Sequence, residues 1–150
     1  MKNYLSLILL SCVMSISSAN AQKKPRVDYV NQHIQASGTH FGNPVADKKW
    51  SNTNGKSFTA AKFSDYSGES YVLLSVSAAV KIELQTLVEL KSGTLDFVLL
   101  DANANQIYGQ KCTQTTHDTT QISLPVAGVY KLVFTGNHAA GRYSSQWKEL

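Results

Sequence analysis

The chain has 150 residues, 43% of them hydrophobic, with 14 Lys+Arg against 10 Asp+Glu and two cysteines. That length suits one domain with a core of its own, and a sequence this apolar is neither disordered nor a low-complexity tract. The modest positive excess is not interleaved with a regular aromatic pattern, so nucleic acid is not an expected partner.

The first 21 residues read as an export signal. Lys2 supplies a positive start, Tyr4 to Met14 is mostly apolar, and Ala19-Asn20-Ala21 offers small residues where a signal peptidase cuts. The apolar run is shorter than the roughly 20 residues that span a bilayer, so no transmembrane segment is expected after cleavage. Leu9-Leu10-Ser11-Cys12 allows a second reading, in which a lipidated Cys12 becomes the first mature residue. The expected location is the periplasm or the outside of the cell, with a membrane-anchored lipoprotein as the alternative. Cleavage after Ala21 leaves 129 residues with Cys112 as the single cysteine, so no internal disulfide can form. Cys112 is expected to be a small, half-buried strand residue.

Residues 22–56 form a basic segment, expected to be mostly loop. Gln22 to Lys62 holds seven basic and two acidic residues, whereas the remainder carries a net charge of −2. Such a stretch suits either an anionic surface or a solvated tail. Val27, Val30 and Ile34 have the spacing of a short amphipathic helix, and Val27 to Val30 could equally be an edge strand. The run "ASGTHFGNPVADKKWSNTNGKS" has the composition of a loop.

From Ser57 the period becomes two. Phe58 to Phe63 is a possible strand, Val72/Leu74/Val76 and Leu95/Phe97/Leu99 each share one face of a strand, and Val80/Ile82/Leu84 alternate with Lys81, Glu83 and Gln85. Ile107-Tyr108, Thr120/Ile122/Leu124, Tyr130/Leu132/Phe134 and Tyr143/Ser145/Trp147 continue the pattern. Turns are expected at 65–68, 91–93, 125–128 and 137–141. About eight short strands with regular punctuation predict an all-β fold, an antiparallel β-sandwich or jelly roll whose core is 57–150 within one domain over 22–150.

"SGTLDFVLLDANANQIYGQ" and "ISLPVAGVYKLVFTGNHAAGRYSSQW" together resemble the ending of bacterial pre-peptidase C-terminal domains and of GOLD-like extracellular jelly rolls. The matching residues are Leu95, Asp96, Leu99, Leu100 and Asp101, then Pro125, Ala127, Gly128 and Tyr130. The resemblance implies a β-sandwich acting as a non-catalytic accessory or recognition module.

Few residues carry chemistry. Asp101, Asn103 and Asn105 alternate like the first ligands of a calcium loop, but Gln106 and Cys112 stand where that loop needs Gly and Glu. Asp and Asn equally suit a hairpin turn, and that is the expectation here. His33, His40, His117 and His138 show no metal-ligand spacing, and no metal or other cofactor is expected. His117-Asp118 does not by itself build a triad, and Glu83 and Glu89 read as surface charge. Tyr143 and Trp147 are expected to fill the core. Trp50, Tyr66 and Tyr108 are the aromatic residues placed to bind a ligand.

The sequence therefore predicts an exported, non-enzymatic β-sandwich that binds a glycan or a protein. An envelope inhibitor or immunity-type protein is the alternative, and a small hydrolase acting through His117 or Asp118 is a third reading.

Overall fold

The structure is a computed structural model and describes residues 26–42 and 49–150. The signal, Cys12, Lys23 and Lys24 lie outside the described residues. All described regular structure is strand: β1 (Ile34–Ala36), β2 (His40–Phe41), β3 (Ser51–Asn54), β4 (Phe58–Val76), β5 (Val80–Leu100), β6 (Gln106–Cys112), β7 (Thr116–Leu124) and β8 (Gly128–Glu149).

β4, β5 and β8 are 19, 21 and 22 residues long and run antiparallel through the whole molecule, with β8 in the middle. Each changes register near its midpoint: β4 between Phe63 and Gly68, β5 between Leu90 and Thr94, and β8 opposite both. These irregularities bend the sheet over into two layers, as strands do when they pass from one sheet of a sandwich to the other. One layer reads β3-β4-β8-β5-β7 and the other reads β4-β8-β5-β6 with β1 and β2 along β4. The turns expected at 65–68, 91–93 and 137–141 are therefore bends within continuous strands. Turn composition marks a change of direction and does not distinguish a reversal from a corner.

The three bends lie side by side. The His138 N–H donates to Ser67 Oγ at 3.0 Å, and His138 Nδ1 lies 3.0 Å from Asp65 Oδ1. Gly93 has φ 72°, and a Cβ there would meet the His138 carbonyl oxygen at 2.1 Å. Only glycine satisfies both that backbone and that contact.

Between the layers sits one core. Ile82, Leu84, Leu95, Leu99, Leu124, Leu132 and Trp147 are fully buried, each contributing about 1.5–3 kcal/mol by leaving water. Tyr143 of one layer stacks on Phe134 of the other at 3.8 Å between centroids. The buried hydroxyls are paired: Tyr66 donates to the Phe134 carbonyl at 2.8 Å, Ser70 Oγ lies 3.2 Å from both Tyr66 and Tyr143, and Thr86 meets Ser145 at 2.8 Å. Tyr143, Trp147 and Cys112 are core residues; Cys112 is more deeply buried than expected.

The N-terminal segment departs from expectation. Residues 26–30 form neither the helix nor the edge strand that their spacing allows. They are held as a strap, with Asp28 Oδ1 accepting the Ser57 N–H at 2.8 Å and Ser57 Oγ accepting the Tyr29 N–H at 2.6 Å. The 22–56 segment, expected to be mostly loop, holds β1, β2 and β3, each short and each added to β4. Neighbouring β4 supplies the pairing, so the local sequence needs little strand propensity of its own.

Candidate functional site

A bent sandwich has two open sides, where the edge strands of its layers face each other. Here one side is formed by β2 and β3 and the other by β6 and β7. Two of the three aromatic residues singled out above lie on these sides.

On the β2–β3 side, Trp50 is half-buried. Its ring stacks on Phe63 (5.9 Å, 19°), tilts against Tyr66 (4.9 Å) and meets Phe41 edge-on (5.4 Å, 74°). Phe41 in turn is 46% exposed. Edge-to-face contact orients the Phe41 ring while leaving part of it in water. A polar chain runs beside these rings. Trp50 Nε1 donates to Asn52 Oδ1 at 3.1 Å, and Asn52 Nδ2 donates to Thr39 Oγ1 at 3.2 Å. Thr39 Oγ1 and Thr59 Oγ1 both donate to Asn54 Oδ1, at 3.0 and 2.8 Å. An asparagine amide has two N–H donors and a carbonyl with two lone pairs, so Asn52 keeps hydrogen-bonding capacity for a ligand. The surface is thus an apolar ring beside a row of fixed amides and hydroxyls.

The β6–β7 side is closed by its own side chains. Tyr108 donates to Asp118 Oδ2 at 2.5 Å, and Gln110 Nε2 donates to Asp118 Oδ1 and to the Tyr108 hydroxyl, both at 3.3 Å. Burial and the hydrogen bond to Asp118 push the Tyr108 hydroxyl up to about 12. Both carboxylate oxygens and the phenol already have partners, which makes this group a lock between the layers.

Tyr66 is corrected by the structure. It is fully buried and its hydroxyl serves Phe134, so its ring cannot meet a ligand. Gly136 makes room for it, since a Cβ there would meet the Tyr66 ring at 2.3 Å. The alternation that places Tyr66 inside is interrupted by the bend, and for that reason the sequence pattern did not show it.

Asp101, Asn103 and Asn105 lie in the hairpin turn between β5 and β6. Asp101 Oδ1 accepts the N–H groups of Asn103 and Asn105, both at 2.8 Å, and Oδ2 accepts Asn105 Nδ2 at 3.1 Å. The backbone N–H of Asn105 leads the interactions that hold the Asp101 carboxyl below its ordinary value. The carboxylate thus turns its acceptors toward its own loop.

The remaining titratable groups are dispersed. His33 lies against Glu149, His138 against Asp65, and His40 stacks on Tyr71. No group of three or more His, Cys, Asp or Glu among the described residues could hold a metal ion. His117 and Asp118 are neighbours on β7 and face opposite ways, His117 exposed and Asp118 toward Tyr108. Glu83 and Glu89 share one face of β5 six residues apart, roughly 20 Å at 3.3 Å per residue, beyond the 5–9.5 Å between glycosidase carboxylates. Glu89 is held by two of the three Arg142 guanidinium nitrogens, Nε and Nη2, and Glu83 accepts from Gln85.

Phe41, Thr39 and Asn52 were not singled out in the sequence. The signal available was the dipeptide His40-Phe41, an aromatic pair inside an otherwise Gly- and Asn-rich run.

No protein-family model and no curated protein matches the chain. Among solved structures, the K1 cleaved adhesin domain of Lys-gingipain from Porphyromonas gingivalis W83 is similar at 10% identity. That match covers 79% of this chain and 96% of that one, with a TM-score of 0.49. A carbohydrate-binding module, TmCBM61, solved with β-1,4-galactotriose, is 14% identical over 78% of this chain and 88% of that one, with a TM-score of 0.46. The carbohydrate-binding module of Cellvibrio mixtus lichenase 5A, solved with cellotriose, is 11% identical over 75% and 97%, with a TM-score of 0.42. At such identities the likeness assigns no role to any residue of this chain, whose own coordinates make it an all-β, antiparallel sandwich.

Proposed function

We propose that this protein is an exported, non-enzymatic recognition module that binds a glycan on the β2–β3 side. The observation that carries this reading is the oriented Phe41, a residue 46% exposed, beside the Trp50–Asn52–Thr39 hydrogen-bond chain. A pyranose ring has an apolar C–H face and a rim of hydroxyls, and it needs a flat apolar surface flanked by fixed donors and acceptors. Amides and hydroxyls supply that rim without charge. The patch is small and polar-edged, which suits a sugar better than the broad apolar core of a protein interface. Asn, Thr and Trp side chains offer no general acid or base at neutral pH, so the surface is suited to holding a ligand and not to cleaving it. The recognition role implied by the pre-peptidase resemblance and the export implied by Lys2 to Ala21 belong to the same proposal.

The test is retention of the folded protein in native gels cast with soluble polysaccharides. At least one polysaccharide should slow the wild type, and both Phe41→Ala and Asn52→Ala should run unretarded with unchanged circular dichroism. Retention that survives both substitutions would sink this site. A wild type that no glycan retards would sink the glycan reading.

A further inference from the structure

A sheet that is not closed has edges, and an unpaired edge invites another strand. Proteins blunt such edges by keeping them short, by charging them with Lys, by placing Pro in them, by bulging them or by pointing a charge inward. Most edges here are blunted in one of these ways. β1, β2 and β3 have three, two and four residues. β6 has seven, carries Lys111 and Gly109, and pairs irregularly at Leu99/Leu100.

β7 is different. It has nine residues, THDTTQISL, paired in unbroken register with β5 from Val80↔Leu124 to Val88↔Thr116. Among the described residues no strand pairs with its other edge. The strand holds no Pro, Lys, Arg or Gly. Its one formal charge, Asp118, points inward, but both carboxylate oxygens already accept from Tyr108 and Gln110, so pairing would bury no bare charge. Its outward side chains, His117, Thr119, Gln121 and Ser123, are exposed, and none of them is Asp, Glu, Lys or Arg.

We propose that two copies of this chain pair edge to edge through β7, antiparallel and two-fold symmetric. The strand is complementary to itself. A two-fold axis through Thr120 sets Thr119 against Gln121 and His117 against Ser123, bringing no like charges together across the pair. A charged peptide would find no charge partner on the outward face, whereas a second β7 needs none. The pairing joins two five-stranded layers into one ten-stranded sheet, with a β3 edge at each end. Nine strand spacings of about 4.8 Å put the two β2–β3 sides roughly 40 Å apart. If the glycan reading holds, the pair is bivalent and can bridge two chains of one polysaccharide, with the gain in avidity that two linked sites bring. The pairing itself does not rest on that reading.

Sedimentation equilibrium without glycan tests the proposal. The wild type should reach twice the chain mass as concentration rises into the millimolar range. Thr119→Lys/Gln121→Lys, which places two cations on each edge, should halve the mass with an unchanged fold by circular dichroism. Thr53→Lys, a charge on the opposite edge, should leave the double mass intact. A wild type that stays at one chain mass throughout would overturn the proposal. So would a doubled mass that survives Thr119→Lys/Gln121→Lys.

Discussion

On the β6–β7 side, Tyr108 gives its hydroxyl to Asp118 and Gln110 closes the group, so an aromatic residue near the surface is used up within the chain. On the β2–β3 side, Phe41 has no polar atom to commit, and Trp50 uses its one N–H to fix Asn52. The first side is bound to itself and the second keeps an exposed ring and spare amide capacity. Both carry an aromatic residue beside amides and hydroxyls. What separates a structural lock from a binding surface is whether the polar groups are already satisfied by one another.

Substitutions should pull this contrast apart. Trp50→Ala has the largest expected effect, because Trp50 serves both the core and the surface. It should lose glycan retention and about 3 kcal/mol of stability by denaturant unfolding, the low end for removing a packed tryptophan. Phe41→Ala should weaken glycan binding at least tenfold, as loss of a hot-spot aromatic does, while the unfolding midpoint stays within error. Tyr108→Phe should do the reverse, lowering stability by about 1 kcal/mol for the lost hydrogen bond and leaving glycan retention unchanged.

The smallest effects are those of pH. The Phe41–Trp50–Asn52–Thr39 chain has no titratable group of its own, so retention should be flat from about pH 7.5 to pH 9, between the ordinary histidine and lysine ranges. Stability should not be flat in alkali. Burial holds Tyr66 at about 12 against an ordinary 10.0, and Tyr108 reaches about 12 through burial and Asp118. The unfolded chain releases these protons first, so stability is full below pH 10 and falls as the pH rises toward 12. Ultraviolet titration of the phenolates checks this, and Asp118→Asn should lower the Tyr108 transition alone.

The sheet was legible in the sequence wherever alternation ran unbroken, as in Ile82/Leu84 or Leu95/Phe97/Leu99. The Asp101 hairpin was legible because Asp and Asn close their own turns. Three things were not. The bends at Gly93, Tyr66 and His138 have the same composition as reversals, and only long-range pairing shows that the strands continue. β1 to β3 exist because β4 offers them an edge. The proposed binding surface joins Thr39 and Phe41 to Trp50 and Asn52 across a turn of sequence with no periodic signal, so Trp50 was visible as a single aromatic and its partners were not.

The most direct measurement is titration calorimetry of the wild type and Phe41→Ala with the glycan that retards the wild type most, beside a thermal unfolding scan of each. A wild type that binds and a Phe41→Ala protein that binds at least tenfold more weakly, with the same unfolding temperature, is the predicted result. Equal binding by the two proteins would contradict the assignment of the β2–β3 side.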